Sequence, residues 1–484
     1  MFWLEVCLDE WEKTKDIRLV ERAIPIVLSW IREYPLETKN KNSYAWNDDS
    51  TARRCFYITE AYTKWSDYLT NDQKFIIENS MTYHASLLAD GSFYTWHHNH
   101  GLFQDRALLK YTLVFENPNN KEYQAIAKDR ILTYVQSEVL QDGVNAEHSP
   151  SYHVNVAMLI NTMAEFLNEF DYKYSNMIKS KVDSMLDYSI HLTRPDGKYP
   201  PLGDSSESFY EWLEWMDNPQ YQYVATQGQR GIVPDEVDRI FPYGGYAIFR
   251  SSWEFNTDTD WIMFAASTHS GSHKHHDDLS FMIWHHGNLF LDGGTAGYDY
   301  WGNSLALYGV SPWAHSVLVS NWTASKNAFL YKYRPAVDAN ALMTKITDWE
   351  INDTNVSVTG IQKKIKGVEQ TRCLEWNKQK NIVTITDTIE SERNGNNHML
   401  LFHLSEDITP VIEGNTVGLY RSDIKEAVMH FASSQQYNIQ LYYGDEDEVI
   451  QGFNAATGQP CYVIGVKYED INDSLRVQTI INLL

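Results

Sequence analysis

The spacing of apolar residues changes near residue 240, and this change constrains the possible folds more than any other feature of the sequence. Up to about residue 225, apolar residues recur every three to four positions, as in the segments 24–34, 156–170 and 178–185. Such spacing places them on one face of an amphipathic helix. Several successive helices joined by short loops predict a helical array, either a solenoid or a closed toroid.

After about residue 240 the chain consists of short runs that are rich in β-branched and aromatic residues and are bounded by Gly, Asn and Asp. The stretch LSFMIW-HHGN-LFLD is typical of a hairpin. Strands that follow one another without helices predict an antiparallel sandwich. The predicted fold class is therefore α+β and multidomain, with a helical domain over 1–235, an antiparallel β-sandwich domain over 236–484, and the polar stretch 226–242 as the linker.

Composition excludes several classes of function. The formal net charge is −24, which disfavours a nucleic-acid partner because phosphate binding needs a basic face. A local cluster of Arg, His and Asn could still bind a polyanionic sugar, because such a cluster dominates the field within a Debye length. The four cysteines lie far apart and form no CxxC pair, which argues against a cysteine zinc site and against a disulfide-rich scaffold.

The sequence offers little on localisation. No stretch approaches the roughly eighteen consecutive apolar residues that span a bilayer, so membrane insertion is not expected. The opening residues MFWLEVCLDEWEK lack the basic region and the uninterrupted apolar stretch of a secretory signal. The localisation stays open between a cytoplasmic protein and a periplasmic or secreted one whose start has been processed or truncated, and the oligomeric state stays open as well.

The first motif with chemical potential is WHHNHGLFQDRALLKYTLVF, which begins at Trp96. Asn99, His100 and Gly101 predict a turn, with a helix that begins at about Leu102. Asn99 would then lie at or next to the N-cap, with its amide near exposed helix N–H groups. Its role could be that of a cap alone.

The second motif is DGVNAEHSPSYHVNVAMLI. Ser149 followed by Pro150 predicts a helix start, with a capping residue and then a proline in the first helical position. This places Tyr152 in the first turn, where the helix dipole favours negative charge. A phenolate stabilised there could transfer a proton. The alternative is ordinary packing with a hydrogen-bonded hydroxyl.

The third motif, HSGSHKHHDDLSF at 269–281, has four histidines and two aspartates in thirteen positions before an apparent buried strand. His275, Asp292 and His315 are nitrogen and oxygen donors of the kind that zinc accepts. Because these donors lie on separate strands, their spacing is only a weak metal signal. Catalytic groups or a solvated His-rich loop are the alternatives.

In this order and spacing, the three motifs resemble the heparinase II/III superfamily of polysaccharide lyases over roughly residues 40–325. GDSSES from Gly203 and GGYAIFR from Gly244 resemble its connecting segments. The resemblance implies an (α/α) toroid followed by antiparallel β-sandwich sheets, in agreement with the periodicity. It also implies β-elimination in a uronic-acid-containing polysaccharide that gives unsaturated uronate products. A glycosaminoglycan such as heparan sulfate, chondroitin or hyaluronan is favoured, with alginate or a bacterial exopolysaccharide as the alternative.

The resemblance implies four catalytic residues. Asn99 matches the residue that neutralises the uronate carboxylate, and His100 matches a second active-site residue of the alginate-cleaving branch. Tyr152 and His273 match the catalytic tyrosine and histidine. If the proton and the leaving group depart on the same side, Tyr152 could act as both base and acid. If they depart on opposite sides, His273 is the base and Tyr152 the acid. We expect these residues to meet in a cleft between the two domains.

The resemblance also implies a metal site. His275, Asp292 and His315 match its ligands, and the expected ion is a structural Zn²⁺, with Ca²⁺ or Mn²⁺ as alternatives. The sequence departs from the family's His-x-His-x-Asp pattern at Lys274 and His276, and His276 could shift the ligand assignment by one position.

Other polar residues near these motifs have supporting roles in this interpretation. Arg53, Arg54 and Arg106 are candidate substrate clamps, and ion pairs within the helical array are the alternative for all three. His269 and Asp277 are expected, with His276, to support the site or to face solvent.

Two other classes of function are possible. A glycoside hydrolase on a similar helical toroid would need two carboxylates that flank the scissile bond. Asp105, Glu147 and Asp204 are available for this, but they form no signature. A non-catalytic glycan-binding protein is the second alternative, and it predicts that Tyr152→Phe leaves function intact.

Overall fold

The computed structural model describes residues 2–35, 44–168, 172–209, 217–269, 273–299, 303–321, 343–445 and 450–484. The chain forms two compact units. The first comprises Met1–Val139 and Met158–Val182, and the second comprises Leu140–Ala157 and Asp183–Leu484. The predicted domain limits, 1–235 and 236–484, rest on helix and strand content, and they stay a prediction.

Helices account for most of the described chain before residue 193. They are α1 (Phe2–Thr14), α2 (Ile17–Glu33), α3 (Asp48–Trp65), α4 (Asn71–Ala89), α5 (Asn99–Val114), α6 (Asn120–Glu138), α7 (Pro150–Asn168) and α8 (Tyr172–Leu192). Two shorter helices follow, α9 (Pro219–Ala225) and α10 (Ser304–Val310). Helix α7 begins at Pro150, as the Ser-Pro pair predicts. Over the part of the chain that the structure describes, no helix has the length and apolar character needed to cross a membrane.

Helix α5 begins three residues earlier than the sequence predicts. His98 is its N-cap and accepts a hydrogen bond from the backbone N–H of His100, so Asn99 is the first helical residue. A Cβ atom on Gly101 would lie 2.6 Å from the carbonyl oxygen of Thr95. The glycine is therefore needed for a close backbone approach inside the first helical turn, and it does not form the turn that was expected.

Strands dominate the described chain after residue 238, and two short strands precede that point. The first group is β1 (Lys198–Tyr199), β2 (Ser208–Phe209), β3 (Arg239–Phe241), β4 (Tyr246–Arg250), β5 (Trp261–Ala265), β6 (Ser280–Trp284), β7 (Asn288–Phe290) and β8 (Leu318–Ser320). The second group is β9 (Thr344–Ile351), β10 (Asn355–Gln362), β11 (Val368–Asn377), β12 (Ile382–Ser391), β13 (Asn396–His403), β14 (Ile408–Glu413), β15 (Thr416–Arg421), β16 (Ile424–Ser433), β17 (Asn438–Tyr443), β18 (Tyr462–Ile471) and β19 (Ser474–Leu483).

Within the described residues these strands form antiparallel sheets. The largest has eight strands in the order β14-β15-β16-β19-β12-β11-β10-β9. A five-stranded sheet has the order β3-β4-β5-β6-β7, a four-stranded sheet has the order β17-β18-β13-β8, and β1 pairs with β2. The predicted hairpin is confirmed, because β6 and β7 are antiparallel neighbours with Ile283 opposite Phe290.

The sheets share one hydrophobic core, to which Phe264, Leu374 and Phe402 contribute from three different sheets. On β10, a Cβ atom at Gly360 would lie 2.7 Å from Leu279 and 2.9 Å from Phe264. Only glycine permits this close packing. Strand β10 is thereby held directly against Leu279, a residue of the histidine-rich third motif.

Candidate active site

Tyr152 and His273 form a stacked pair of rings in the second unit. Their ring centroids are 3.6 Å apart and the ring planes differ by 17°. Tyr152 lies in the first turn of α7, as predicted, and His273 has a left-handed backbone with φ of 56°. The His273 side chain is 15% exposed, so solvent reaches one edge of a ring that is otherwise enclosed. Two of the predicted catalytic side chains are therefore in direct contact.

The carboxylate of Asp204 joins two histidines of the third motif. Its Oδ2 lies 2.9 Å from His273 Nδ1, and its Oδ1 lies 3.0 Å from His275 Nε2. An acceptor at Nδ1 makes that nitrogen the N–H donor, which leaves His273 Nε2 with a lone pair that can accept a proton. The sequence analysis considered Asp204 only as a hydrolase carboxylate and missed this role.

A backbone contact at Gly203 explains how Asp204 reaches both rings. Gly203 has φ of 55°, and a Cβ there would lie 2.5 Å from the carbonyl oxygen of His273 and 2.6 Å from that of His148. The adjacent N–H of Asp204 donates to the same His273 carbonyl at 3.3 Å. The GDSSES stretch, which the sequence suggested only as a connecting segment, therefore packs directly on the loop that carries His273.

Three serines attach this stretch to the start of α7. Ser205 Oγ accepts a hydrogen bond from the backbone N–H of Ser151 at 2.9 Å and lies 2.7 Å from Ser149 Oγ. Ser205 is fully buried. Because Ser151 directly precedes Tyr152, and Ser205 directly follows Asp204, these bonds keep the phenol and the carboxylate in one rigid arrangement.

The Tyr152 hydroxyl lies 2.9 Å from the hydroxyl of Tyr298, a residue that is 57% exposed. Burial, the hydrogen bond with Tyr298 and the nearby carboxylates of Asp204 and Glu147 hold the pKa of Tyr152 well above its ordinary value. These neighbours outweigh the helix dipole, which was expected to stabilise the phenolate. Tyr152 is therefore a protonated phenol here, with a second phenol beside it that no sequence pattern indicated.

Each predicted histidine ligand is paired with a carboxylate, one with the predicted ligand Asp292 and the other with Asp204. Asp204 contacts His275, and Asp292 Oδ2 lies 2.8 Å from His315 Nδ1. The His275 and His315 rings are 5.5 Å apart, and the opposite nitrogens, His275 Nδ1 and His315 Nε2, are buried without a hydrogen-bond partner.

These two nitrogens are buried without partners, and a carboxylate holds the other nitrogen of each ring. Metal-binding histidines usually have such surroundings. Asp292 fits less directly, because it holds the His315 ring and its Oδ1 accepts the Gly294 N–H at 3.2 Å. His315 and His275 lower the pKa of Asp292 although burial by itself raises it, so this carboxyl remains ionised.

The two positions that depart from the expected pattern have structural contacts. Lys274 donates to the backbone carbonyl of His275 at 2.7 Å and pairs with Asp277, while burial lowers its pKa to about 7. The backbone N–H of His276 donates to Val310. It is His275, one position earlier, that contacts Asp204 and faces His315.

The remaining member of the motif, His269, is stacked on His148 with ring centroids 5.6 Å apart. Burial lowers the pKa of His269 to about 4. The His269 ring is therefore neutral and half-buried, and it packs on His148 beside the site.

Asn99 and His100 belong to the first unit. Asn99 Oδ1 is buried without a hydrogen-bond partner; this atom can only accept, so donation to a carboxylate would have to come from Nδ2. His100 Nδ1 lies 2.9 Å from Asp48 Oδ2, which also accepts from Thr95 Oγ1 at 2.7 Å. That these residues meet Tyr152 and His273 at one sugar stays a prediction.

The three arginines proposed as clamps differ in their surroundings. Arg54 is 3% exposed, donates to His84 Nε2 at 2.9 Å and lies 3.8 Å from the Trp30 ring centroid. These contacts place Arg54 in the interior of the first unit, and among the described residues they are a hydrogen bond to a histidine and ring packing, not the ion pair given as the alternative.

Arg53 pairs with Asp49 at 2.8 Å and covers the ring of Phe103. Arg106 lies over Phe56, and its Nε is buried without a hydrogen-bond partner. Both side chains are half-buried, so both still have surface that a substrate could contact.

Comparison with known proteins adds independent information. The heparinase II/III N-terminus model matches residues 1–223, and the heparinase II/III-like C-terminal model matches residues 234–459. A heparin-sulfate lyase from Bacteroides stercoris is 25% identical over 307 residues, which is 56% of this chain and 45% of that protein. A heparin-sulfate lyase from Pedobacter heparinus is 22% identical over 315 residues, which is 61% of this chain and 47% of that protein. The matched region thus spans about half the length of these relatives.

Solved structures show the same fold. The crystal structure of heparinase III has a TM-score of 0.79 at 16% identity and covers 100% of this chain and 76% of its own. The structure of heparan sulfate lyase HepC from Pedobacter heparinus has a TM-score of 0.75 at 19% identity, with 100% and 75% covered. The predicted fold class, a helical toroid followed by antiparallel β-sandwich sheets, is confirmed. With both halves matched by family models, the chain belongs to the heparinase II/III-like family.

Proposed function

We propose that this protein is a polysaccharide lyase that cleaves a glycosaminoglycan of the heparan sulfate type by β-elimination. The observation that carries the proposal is the stacked Tyr152–His273 pair, in which Asp204 orients His273. Family membership and the names of the two heparin-sulfate lyase relatives support both the reaction class and the substrate class.

The chemistry requires a proton to leave C5 of the uronate, where the adjacent carboxylate makes the carbon a very weak acid. Asn99, assisted by His100, neutralises that carboxylate in this scheme, because hydrogen-bond donors aimed at developing charge stabilise the enolate-like intermediate. The donor that this step needs is the Nδ2 group of Asn99, because its Oδ1 can only accept and cannot bind a carboxylate.

The surroundings of the two rings favour His273 as the base and Tyr152 as the acid. His273 has its Nδ1 proton directed at Asp204, so Nε2 can remove the C5 proton. Tyr152, with a raised pKa and a hydroxyl partner in Tyr298, retains its proton and can deliver it to the departing glycosidic oxygen. This division corresponds to departure of the two groups on opposite sides.

We assign the buried histidines a metal as well. His275 and His315 would hold a structural Zn²⁺ ion, with Asp292 beside them, because two imidazoles and a carboxylate suit zinc. Bound there, the ion would supply a fixed cross-link between the segments that carry His275 and His315. It takes no part in the proton transfers proposed above.

The experiment is to incubate the protein with heparan sulfate, chondroitin sulfate, hyaluronan and alginate in parallel and to follow the ultraviolet absorbance of the unsaturated uronate. We expect absorbance to rise fastest with heparan sulfate. Cleavage that yields only saturated ends would contradict the lyase assignment and favour a hydrolase. Full activity of His273→Ala, with the exposed His430→Ala as control, would contradict the assigned site.

The zinc content of purified variants tests the assignment of a metal to His275 and His315. Purified His275→Ala and Asp292→Ala should each contain one zinc ion fewer per chain than the wild type, as measured by atomic emission. Undiminished zinc in both variants would contradict the assignment.

A further inference from the structure

The turn between β6 and β7 carries two adjacent histidines that the proposed reaction does not use. His285 and His286 precede Gly287 in the sequence HHGN. His286 has φ of 54°, a left-handed conformation that is uncommon for residues other than glycine. The two rings lie side by side, with centroids 4.1 Å apart.

Glu426 on β16 completes a set of three metal-binding side chains. One ligand atom from each of His285, His286 and Glu426 lies within 4.8 Å of the other two. Among the residues that the structure describes, this is the one group of three histidine, cysteine, aspartate or glutamate side chains that meets this distance. His286 Nδ1 and Glu426 Oε2 are already 2.8 Å apart.

The three side chains of the cluster differ in burial, so that two are enclosed and one is open to solvent. The side chains of His285 and Glu426 are 4% and 3% exposed, whereas that of His286 is 41% exposed. An ion could therefore enter from the solvent side past His286 and meet two side chains that packing already holds in place.

Neighbouring groups orient the ligand atoms. Asp260 Oδ1 lies 2.7 Å from His285 Nδ1, which directs the Nε2 edge of the ring away from that carboxylate. Arg421 Nε donates to Glu426 Oε1 at 3.2 Å, which leaves Oε2 facing the histidines. Carboxylates and hydrogen bonds placed behind the ligands in this way are the usual support of protein metal sites.

We propose that His285, His286 and Glu426 bind a divalent transition-metal ion of the zinc class. Two imidazoles and one carboxylate with a fourth position open to water form an accepted zinc ligand set. Ligand atoms about 2.1 Å from a tetrahedral ion are roughly 3.4 Å apart, so side-chain shifts of about one ångström complete the site. His285 Nε2, which lies 3.0 Å from the carbonyl oxygen of Leu484, exchanges its proton for the ion.

The ion would join the β6–β7 turn to strand β16. It would hold the turn against that strand, and the bond from His285 Nε2 to the ion would replace the hydrogen bond of that nitrogen to the carbonyl of Leu484. Strand β6 follows the loop that carries His273 and His275, so this cross-link would stabilise the sheet that supports that loop. The site is separate in sequence and in ligands from the buried His275 and His315.

Zinc stoichiometry and affinity test the proposal, by equilibrium dialysis of the full chain with Zn²⁺ and by competition with a chromophoric chelator. We expect His286→Ala and Glu426→Gln each to lose one zinc ion per chain or to bind it at least tenfold more weakly. The matched control is His430→Ala, an exposed histidine on the same strand as Glu426, which should bind zinc as the wild type does.

His286 is largely exposed at a turn, so His286→Ala should fold, and circular dichroism can verify this independently of zinc. Wild-type stoichiometry and affinity in folded His286→Ala would overturn the proposal. The double variant His275→Ala/His286→Ala should lose two ions. Loss of one ion only, and only with His286→Ala, would support this site while contradicting the buried one.

Discussion

Asp204→Asn is the most informative change, because a single carboxylate holds both His273 and His275. The side chain is 3% exposed and accepts from the two rings at 2.9 and 3.0 Å. An asparagine of the same size has one carbonyl oxygen and one NH₂ group, so it can accept from only one ring. If its NH₂ group faces His273, the ring must adopt the other tautomer, and its Nε2 then carries the proton.

The expected fall in kcat follows from the loss of His273 Nε2 as the base. General acid–base catalysis contributes about 10²–10⁴-fold to a rate, so we expect kcat to fall by about that factor while KM changes little. One hydrogen bond to a charged group is also lost, which should lower the free energy of unfolding by about 1.5–3 kcal/mol. The protein should remain folded at room temperature.

The assay compares kcat and KM from uronate absorbance with urea unfolding of the same preparations. Asp353→Asn, a change at an exposed position, serves as the control and should leave both quantities unchanged. In the His273→Ala background, Asp204→Asn should cause no further loss of kcat, because the two residues act as one unit. A kcat within threefold of wild type for folded Asp204→Asn would refute the reasoning.

Three further predictions concern separate parts of the molecule. Tyr152→Phe should lower kcat at least about 100-fold without changing the free energy of unfolding. The control Tyr443→Phe, at an exposed tyrosine, should have wild-type kinetics. Wild-type kinetics in Tyr152→Phe would exclude Tyr152 from the mechanism. Gly360→Ala should cost about 1–3 kcal/mol in urea unfolding, because a Cβ there would lie within 3.0 Å of three side chains, while Gly91→Ala meets no atom within 4 Å and should be neutral. Burial lowers the pKa of His84 from 6.5 to about 3, so below pH 6.5 the unfolded chain binds a proton that the folded chain does not. The free energy of unfolding should therefore fall by up to about 2.7 kcal/mol between pH 6.5 and 4.5. His84→Gln, which has no imidazole at this position, should lack this part of the pH dependence.

Features that depend on near neighbours in the chain were predicted from sequence. The start of α7 at Pro150 follows from a capping serine followed by proline. The β6–β7 hairpin follows from two apolar runs separated by a short polar turn. In both cases, residues within a few positions of each other determine the local backbone, so no knowledge of the rest of the fold was needed.

Features that depend on burial were not predictable in this way. Arg54 resembles a substrate clamp in sequence because it is a cation near a polar motif, but its contacts with Trp30 and His84 place it in the interior. The beginning of α5 was misjudged because Gly101 suggested a turn, whereas its role is a close approach to Thr95. A residue type indicates what a side chain can do, and its surroundings decide which of those roles it has.

By itself, the sequence determined the order of helices and strands and the resemblance to the family, because periodicity and short motifs depend on consecutive residues. That resemblance implied that Tyr152 and His273 belong to one site. The tertiary structure alone decided that Asp204 orients His273 from 69 positions away and that Tyr298 contacts Tyr152 from 146 positions away. Hydrogen bonds act over about 3 Å in space, and only a folded backbone, here with Gly203 against His273, brings such distant residues within that range.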